Sequence, residues 1–169
     1  MLGYVCKYTP MELFEAMDTE ITRLEPSVTD FNHADTLMHA NICSYTKAVL
    51  EDVMEHDYEG VILTTCCDSI RRLYDTLKSQ FPDKFFFLLD IPRKFNDFAV
   101  TLYERQLKQM LTEYEAFSGK TLDLKRFVSM MQNKAALKKQ ENTRMSASAV
   151  SEKGNGQKLN IGIMGARCN

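Results

Sequence analysis

Apolar residues along the chain follow two periods that alternate. Residues 60–65 (Gly-Val-Ile-Leu-Thr-Thr) and 84–90, centred on Phe85-Phe86-Phe87-Leu88-Leu89, are continuous apolar runs of strand length, the pattern of strands buried on both faces. Elsewhere apolar positions recur at helical spacing. After Ser44 these are Tyr45, Ala48, Val49, Val53 and Met54, and from Ile70 to about Ser79 they are Ile70, Leu73, Tyr74 and Leu77. Residues 3–8 predict a short first strand, and Thr9-Pro10 predicts a helix through residues 12–17 with Thr9 as N-cap and Pro10 in the first helical position. Ile21 to Leu24 predicts a second strand, which Glu25-Pro26 ends before a polar loop reaching about Ala40. Ile91-Pro92-Arg93 leads into a long helix from about Asn96 to Phe117, closed by Ser118-Gly119, and a second long helix runs from Leu122 to about Thr143.

Strand and helix in regular alternation predict an α/β fold, a parallel Rossmann- or flavodoxin-like sheet with helices on both faces and right-handed crossovers. In such sheets ligands bind at the carboxyl edge. The expected organisation is an α/β domain over residues 1–145 that ends in the long helices, and a flexible Ser/Gly/Lys linker over 146–157. Residues 158–169 are expected to be the first strand and turn of a second, incomplete domain.

Length and composition fit one ordinary globular domain: 169 residues, 44% hydrophobic and 26% charged, suffice to bury a core. A formal net charge of -2 gives no electrostatic reason to expect nucleic acid or an anionic membrane as partner. The densest apolar run, residues 85–89, is too short to span a bilayer, and residues 1–7 lack the basic and apolar regions of a secretory signal, so a cytoplasmic protein is expected. Five cysteines (Cys6, Cys43, Cys66, Cys67 and Cys168) without a secretory signal point to free thiols, metal ligands or redox groups rather than disulfides.

Two cysteine segments stand where a helix is about to begin: Asn41-Ile42-Cys43-Ser44-Tyr45 and Thr64-Thr65-Cys66-Cys67-Asp68-Ser69. A helix N-terminus offers unpaired amides and partial positive charge, which favour a thiolate, and thiolates bind zinc and iron–sulfur clusters. Adjacent residues on an extended segment point in opposite directions, so Cys66 and Cys67 cannot chelate together. Cys67 is expected to face the site with Cys66 packed beneath it, and Asp68 or Ser69 to cap the following helix. Cys6, in the first strand, reads as a small core residue. His39 and Ser44 are candidate catalytic groups beside Cys43, although loop histidines are commonly just solvated, and Arg71 is a candidate for an anionic substrate group. Gly-rich phosphate loops, Gly-x-Ser-x-Gly, His-Glu-x-x-His and Cys-x-x-Cys are all missing, so hydrolase and nicotinamide chemistry lacks support.

Cys43-Ser44-Tyr45, the run Cys67-Asp68-Ser69-Ile70-Arg71-Arg72-Leu73-Tyr74, the opening Gly3-Tyr4-Val5-Cys6-Lys7-Tyr8-Thr9-Pro10 and Phe87-Leu88-Leu89-Asp90-Ile91-Pro92, in that relation, resemble the 2-hydroxyacyl-CoA dehydratase family, to which benzoyl-CoA reductase subunits also belong. The resemblance covers Met1 to about Gln132. It implies an oxygen-sensitive subunit whose cysteines hold a 4Fe-4S cluster, paired with a related subunit as a heterodimer. A separate ATP-hydrolysing iron–sulfur activator is implied to supply one electron, which reduces an acyl-CoA thioester to a ketyl radical anion that expels the neighbouring hydroxyl. Cys43 and Cys67 match the first two family ligands, and the third is expected beyond residue 169, with Cys168 a possible substitute. The isolated chain is therefore expected to be inactive. Two other readings stand beside this one: a non-catalytic truncated α/β module, and thiol signalling through Cys66 and Cys67, which the strain of a vicinal disulfide disfavours.

Overall fold

The structure is a computed structural model that describes residues 1–28, 30–94 and 96–148, with side chains described through residue 137. The elements are β1 (Leu2–Tyr4), α1 (Met11–Glu15), β2 (Ile21–Arg23), α2 (Asn32–Leu37), α3 (Ser44–Glu55), β3 (Gly60–Thr64), α4 (Asp68–Gln80), β4 (Phe85–Leu89), α5 (Asp97–Ser118) and α6 (Leu124–Ser148). The strands lie in the order β2-β1-β3-β4 and all pair in parallel, with Leu2 opposite both Ile21 and Gly60, and Gly60 opposite Phe85. The expected parallel α/β fold is thus observed.

Both faces of the sheet are covered, which is why its two central runs are apolar throughout. Val61, Leu63 and Phe86 pack on one side against Val49, Leu50 and Val53 of α3 and Ile70, Leu73 and Leu77 of α4. Leu2, Tyr4, Ile62, Phe85, Phe87 and Leu89 pack on the other against Leu13 and Phe14 of α1 and Met110 and Tyr114 of α5. Tyr114 is fully buried, its ring edge-on to Phe14 and Phe85 at centroid distances of 5.1 and 5.0 Å. Its hydroxyl donates to Glu59 Oε1 at 3.0 Å and therefore accepts from the Thr19 hydroxyl at 3.1 Å, so the buried polar end is satisfied on both counts.

Two glycines answer geometric demands. A β-carbon on Gly60 would lie 1.9 Å from the Phe85 carbonyl oxygen, so only glycine lets β3 and β4 pair at this register. Gly119 ends α5 at φ 71°, ψ 3°, the left-handed conformation that closes helices. At the other end of α5 the Asn96 side chain accepts from the Ala99 amide at 2.8 Å.

Several boundaries differ from those read in the sequence. Thr9 is not the N-cap of α1: Pro10 holds that position, because the chain has already turned through Thr9 N to Cys6 O (2.9 Å), and the buried Thr9 hydroxyl has no partner among the described residues. The cap of α4 is Cys67 rather than Asp68 or Ser69, since after the turn at residues 65–66 Cys67 is itself extended (φ -156°, ψ 167°) and the helix starts at Asp68. The stretch from Glu25 to Ala40 is not all loop but contains α2, held by a group outside it. Glu51 of α3, only 2% exposed, accepts from the Ala34 amide at 2.8 Å and lies 2.7 Å from His33 Nδ1. No side chain of α2's own N-terminal segment caps it, so the carboxylate does so from the neighbouring helix. The chain divides after Met131: the sheet and its helices form the first unit, and residues 132–148 of α6 are the described part of the second. Residues 146–148 of the expected linker are helical, while the rest of it, the final strand and Cys168 lie outside the described residues.

Burial pushes the Glu51 carboxyl up, but the Ala34 amide and His33 outweigh this and hold it below the usual carboxylate range. Its stabilising effect is therefore present above the unfolded glutamate pKa of about 4.3 and is lost as pH falls through the lower folded value. Glu51→Ala should cost about 2 kcal/mol in urea denaturation at pH 7. Glu51→Gln should flatten the acid limb of stability against pH, and amide exchange should quicken first at residues 32–37. Gly60→Ala should destabilise by more than about 3 kcal/mol, or abolish the cooperative thermal transition. Gly119→Ala, in open space, should cost about 1 kcal/mol.

Candidate functional site

Cys43 and Cys67 are the N-capping residues of α3 and α4, both in extended conformation, and both thiols are exposed. These two helices lie side by side on one face of the sheet, so the parallel topology brings both N-termini to the carboxyl edge. Neither sulfur makes a strict capping hydrogen bond, yet Cys43 Sγ lies 3.1 Å from Thr46 Oγ1. Burial pushes the Cys43 thiol up, but the Thr46 hydroxyl and amide, the Ser69 hydroxyl and the Tyr45 amide overcome that and hold it below the ordinary thiol range. Ser69 belongs to the first turn of α4, so its contact with Cys43 links the two cysteine-bearing helix starts.

Cys66 has the opposite setting. It is exposed rather than packed beneath Cys67, because the turn after β3 lifts it out of the sheet. Burial of part of its surface pushes its thiol up, the Thr64 hydroxyl offsets some of this, and the neighbouring Cys67 and Cys6 thiols add to the rise. One residue of displacement along the chain separates a helix cap from the turn before it.

The same edge carries a clasp that sequence reasoning missed. Thr65 Oγ1 donates to Asp90 Oδ1 at 2.5 Å, while the Thr65 amide donates to Leu89 O at 3.0 Å. These bonds tie the ends of β3 and β4 and fix the base of the Cys66-Cys67 turn. Thr46 and Ser69 were also missed as partners of Cys43. The only signal for Thr46 was its place three residues after Cys43, the spacing of an N-cap to its N3 residue.

Of the other candidates, His39 is exposed and serves the turn before Cys43: its Nδ1 accepts from the Asn41 amide at 3.2 Å, and its carbonyl from Ile42 N at 3.0 Å. In the neutral ring the proton is thus on Nε2. Ser44 is exposed at the start of α3. Arg71 is exposed in the first turn of α4, where no described residue pairs with its guanidinium. Among the described residues, no three His, Cys, Asp or Glu side chains are grouped so as to hold a metal ion.

The sequence profile of 2-hydroxyglutaryl-CoA dehydratase, D-component, matches residues 6–153. The chain belongs to this family. A comparison with curated protein sequences finds no match. The matched span takes in both capping cysteines and the carboxyl ends of β2, β3 and β4 of this D-component relative. A D-component is by its description one part of a multi-component dehydratase. No described helix is long and apolar enough to cross a membrane. Tested against an iron–sulfur cluster, the site offers the right donor type: two exposed thiols at adjacent helix starts, one drawn toward thiolate. The donor count is short, since the described residues bring at most two together.

Alkylation by iodoacetamide followed by mass spectrometry across pH should find Cys43 reacting with a midpoint below the ordinary thiol range and Cys66 above it. Thr46→Val and Ser69→Ala should each move the Cys43 midpoint upward and leave Cys66 unchanged.

Proposed function

We propose that this chain is the cluster-binding part of a 2-hydroxyacyl-CoA dehydratase D-component, with Cys43 and Cys67 as two thiolate ligands of a 4Fe-4S cluster. The subunit works with a related dehydratase subunit and receives one electron from an ATP-hydrolysing iron–sulfur activator; the reaction removes water from a 2-hydroxyacyl-CoA. The observation that carries this reading is the meeting at one sheet edge of two helix N-termini, each capped by an exposed cysteine, close enough that Ser69 of one helix favours the thiolate of Cys43 on the other. When bound, such a cluster supplies one-electron chemistry and an open iron position for a substrate oxygen.

The protein's own share is electrostatic. The unpaired amides of α3 and α4 and the hydroxyls of Thr46 and Ser69 offset negative charge on the sulfurs, and Arg71 stands one turn away as a counter-charge for an anionic substrate group. His39 orders the turn that delivers Cys43, so its role is positional rather than acid–base. Cys66, kept as a neutral thiol, is left out of the ligand set. The third ligand comes from outside the described residues.

The incomplete donor set favours one second reading, a non-catalytic α/β module of the same family. Anaerobic reconstitution with ferrous iron and sulfide separates the two. The 169-residue chain should take up iron and develop broad visible absorption, Cys43→Ser and Cys67→Ser should each lose most of both, and Cys66→Ser should keep them. Iron uptake by the Cys43→Ser/Cys67→Ser double variant equal to that of the wild type would refute the ligand assignment.

A further inference from the structure

A second opening lies on the same sheet edge, on the flank of α5 rather than of α3 and α4. It is a cavity of about 250 Å³ lined by Pro92, Arg93, Lys94, Ala99, Val100 and Tyr103, formed where the chain leaves β4 and enters α5. Its lining is of two kinds. Pro92, Ala99, Val100 and the Tyr103 ring supply apolar surface, and Arg93 and Lys94 add two adjacent, exposed cations to the lining.

Those cations are among the unpaired charges of the described residues, as is Arg71 of α4. Arg23, Lys47, Lys84, Lys108 and Arg126 each have an acidic partner, whereas no described residue pairs with Arg93 or Lys94. Two like charges on neighbouring residues repel each other, and nothing described relieves them. A multivalent anion would. The α5 amides are not the attraction, since Asn96 already occupies Ala99 N through its side chain and Val100 N through its carbonyl at 3.0 Å.

The apolar wall is held in place. Tyr103 donates from its hydroxyl to the Tyr8 carbonyl at 3.3 Å, which anchors the ring to the β1–α1 connection that also carries Cys6. A fixed aromatic and aliphatic surface beside a guanidinium and an ammonium suits a flat ring joined to phosphates: guanidinium matches phosphate oxygens two at a time, ammonium acts as a point charge, and the ring is removed from water against the wall.

We infer that this cavity binds the phosphorylated nucleotide end of a coenzyme A thioester, with Arg93 and Lys94 on its phosphates and the ring against Tyr103, Val100 and Pro92. This rests on the acyl-CoA reading of the cysteine edge, and it adds a place for the end of the substrate remote from the reaction. The long flexible arm of the carrier then runs along the carboxyl edge from the α5 flank toward the α3–α4 flank. Binding energy gathered at the remote end would serve to position the thioester.

Equilibrium titration calorimetry of the iron-free 169-residue chain with coenzyme A, ADP and phosphate-free pantetheine tests the inference. Coenzyme A and ADP should bind and compete with each other, pantetheine should not bind, and affinity should fall with added salt. Arg93→Ala/Lys94→Ala should weaken coenzyme A binding about tenfold or more, and Arg93→Glu should do at least the same. Both sites are exposed, so circular dichroism should show these variants folded, and Arg72→Ala on α4 should bind like wild type. Absence of coenzyme A binding in the wild type, or equal affinity in the double variant, would overturn the proposal. Iron uptake is read without coenzyme A, so failure of the cysteine assignment with nucleotide binding intact would refute the cluster reading alone.

Discussion

Parallel pairing of all four strands is the constraint on which the rest of this molecule depends. A parallel strand cannot be reached by a tight hairpin, so the chain must cross back over the sheet after each one, and the helix that follows a strand begins at the carboxyl edge. Here α1, α3, α4 and α5 all lie in connections that leave that edge. Each helix start brings amides without intrahelical partners and a partial positive charge of about half an elementary unit. One rim of the protein is thereby rich in hydrogen-bond donors before any side chain is considered. A thiol that caps a helix on this rim meets unpaired amides, and one on the opposite rim would meet carbonyl oxygens. The close pairing of β3 with β4 at Gly60 sets which residues arrive there, because it fixes where Thr64 and Leu89 end side by side.

The strand order then divides the rim. From β1 the chain first goes outward to β2 and then returns across β1 to reach β3, so the connections diverge between β1 and β3. This is the order of flavodoxin-like sheets, whose ligands sit at that point of divergence. In this chain the α3–α4 flank carries the capping thiols and the donors that favour the ionised form of Cys43, and the α5 flank carries unpaired cations over an apolar wall. A bipartite substrate, reactive at one end and phosphorylated at the other, matches a rim divided in this way. The Thr65–Asp90 clasp joins the two flanks at the ends of β3 and β4.

What could be read in the sequence follows from the range of the interactions involved. The strands at 60–65 and 84–90 were legible because burial on both faces demands an unbroken apolar run, and α3, α4 and α5 were legible because each presents a helical stripe with a clear start or stop, as with Asn96 and Gly119. Helix α2 was not, because six residues with no cap of their own read as loop, and the group that holds them, Glu51, lies on another helix and is itself a residue type expected in water. The positions of Cys43 and Cys67 at helix starts were legible, and their surroundings were not. Ser69 acts on Cys43 across 26 residues of sequence, a contact that only the folded arrangement of α3 against α4 creates.

The contrast between Cys43 and Cys66 shows how little separates a ligand-like thiol from an ordinary one. Both are exposed on the same rim and both lose some water on folding, which pushes each toward the neutral form. At Cys43 the cap position adds two backbone amides and two hydroxyls, enough to reverse the effect. Cys66 stands one residue ahead of the cap of α4, with one hydroxyl to help it and two neighbouring thiols that oppose ionisation. Solvent exposure alone therefore does not decide which way a thiol is shifted here; the donors gathered around the sulfur do. Register at the β3–α4 junction assigns the cap to Cys67, and the pairing of Gly60 with Phe85 fixes that register at the other end of the strand.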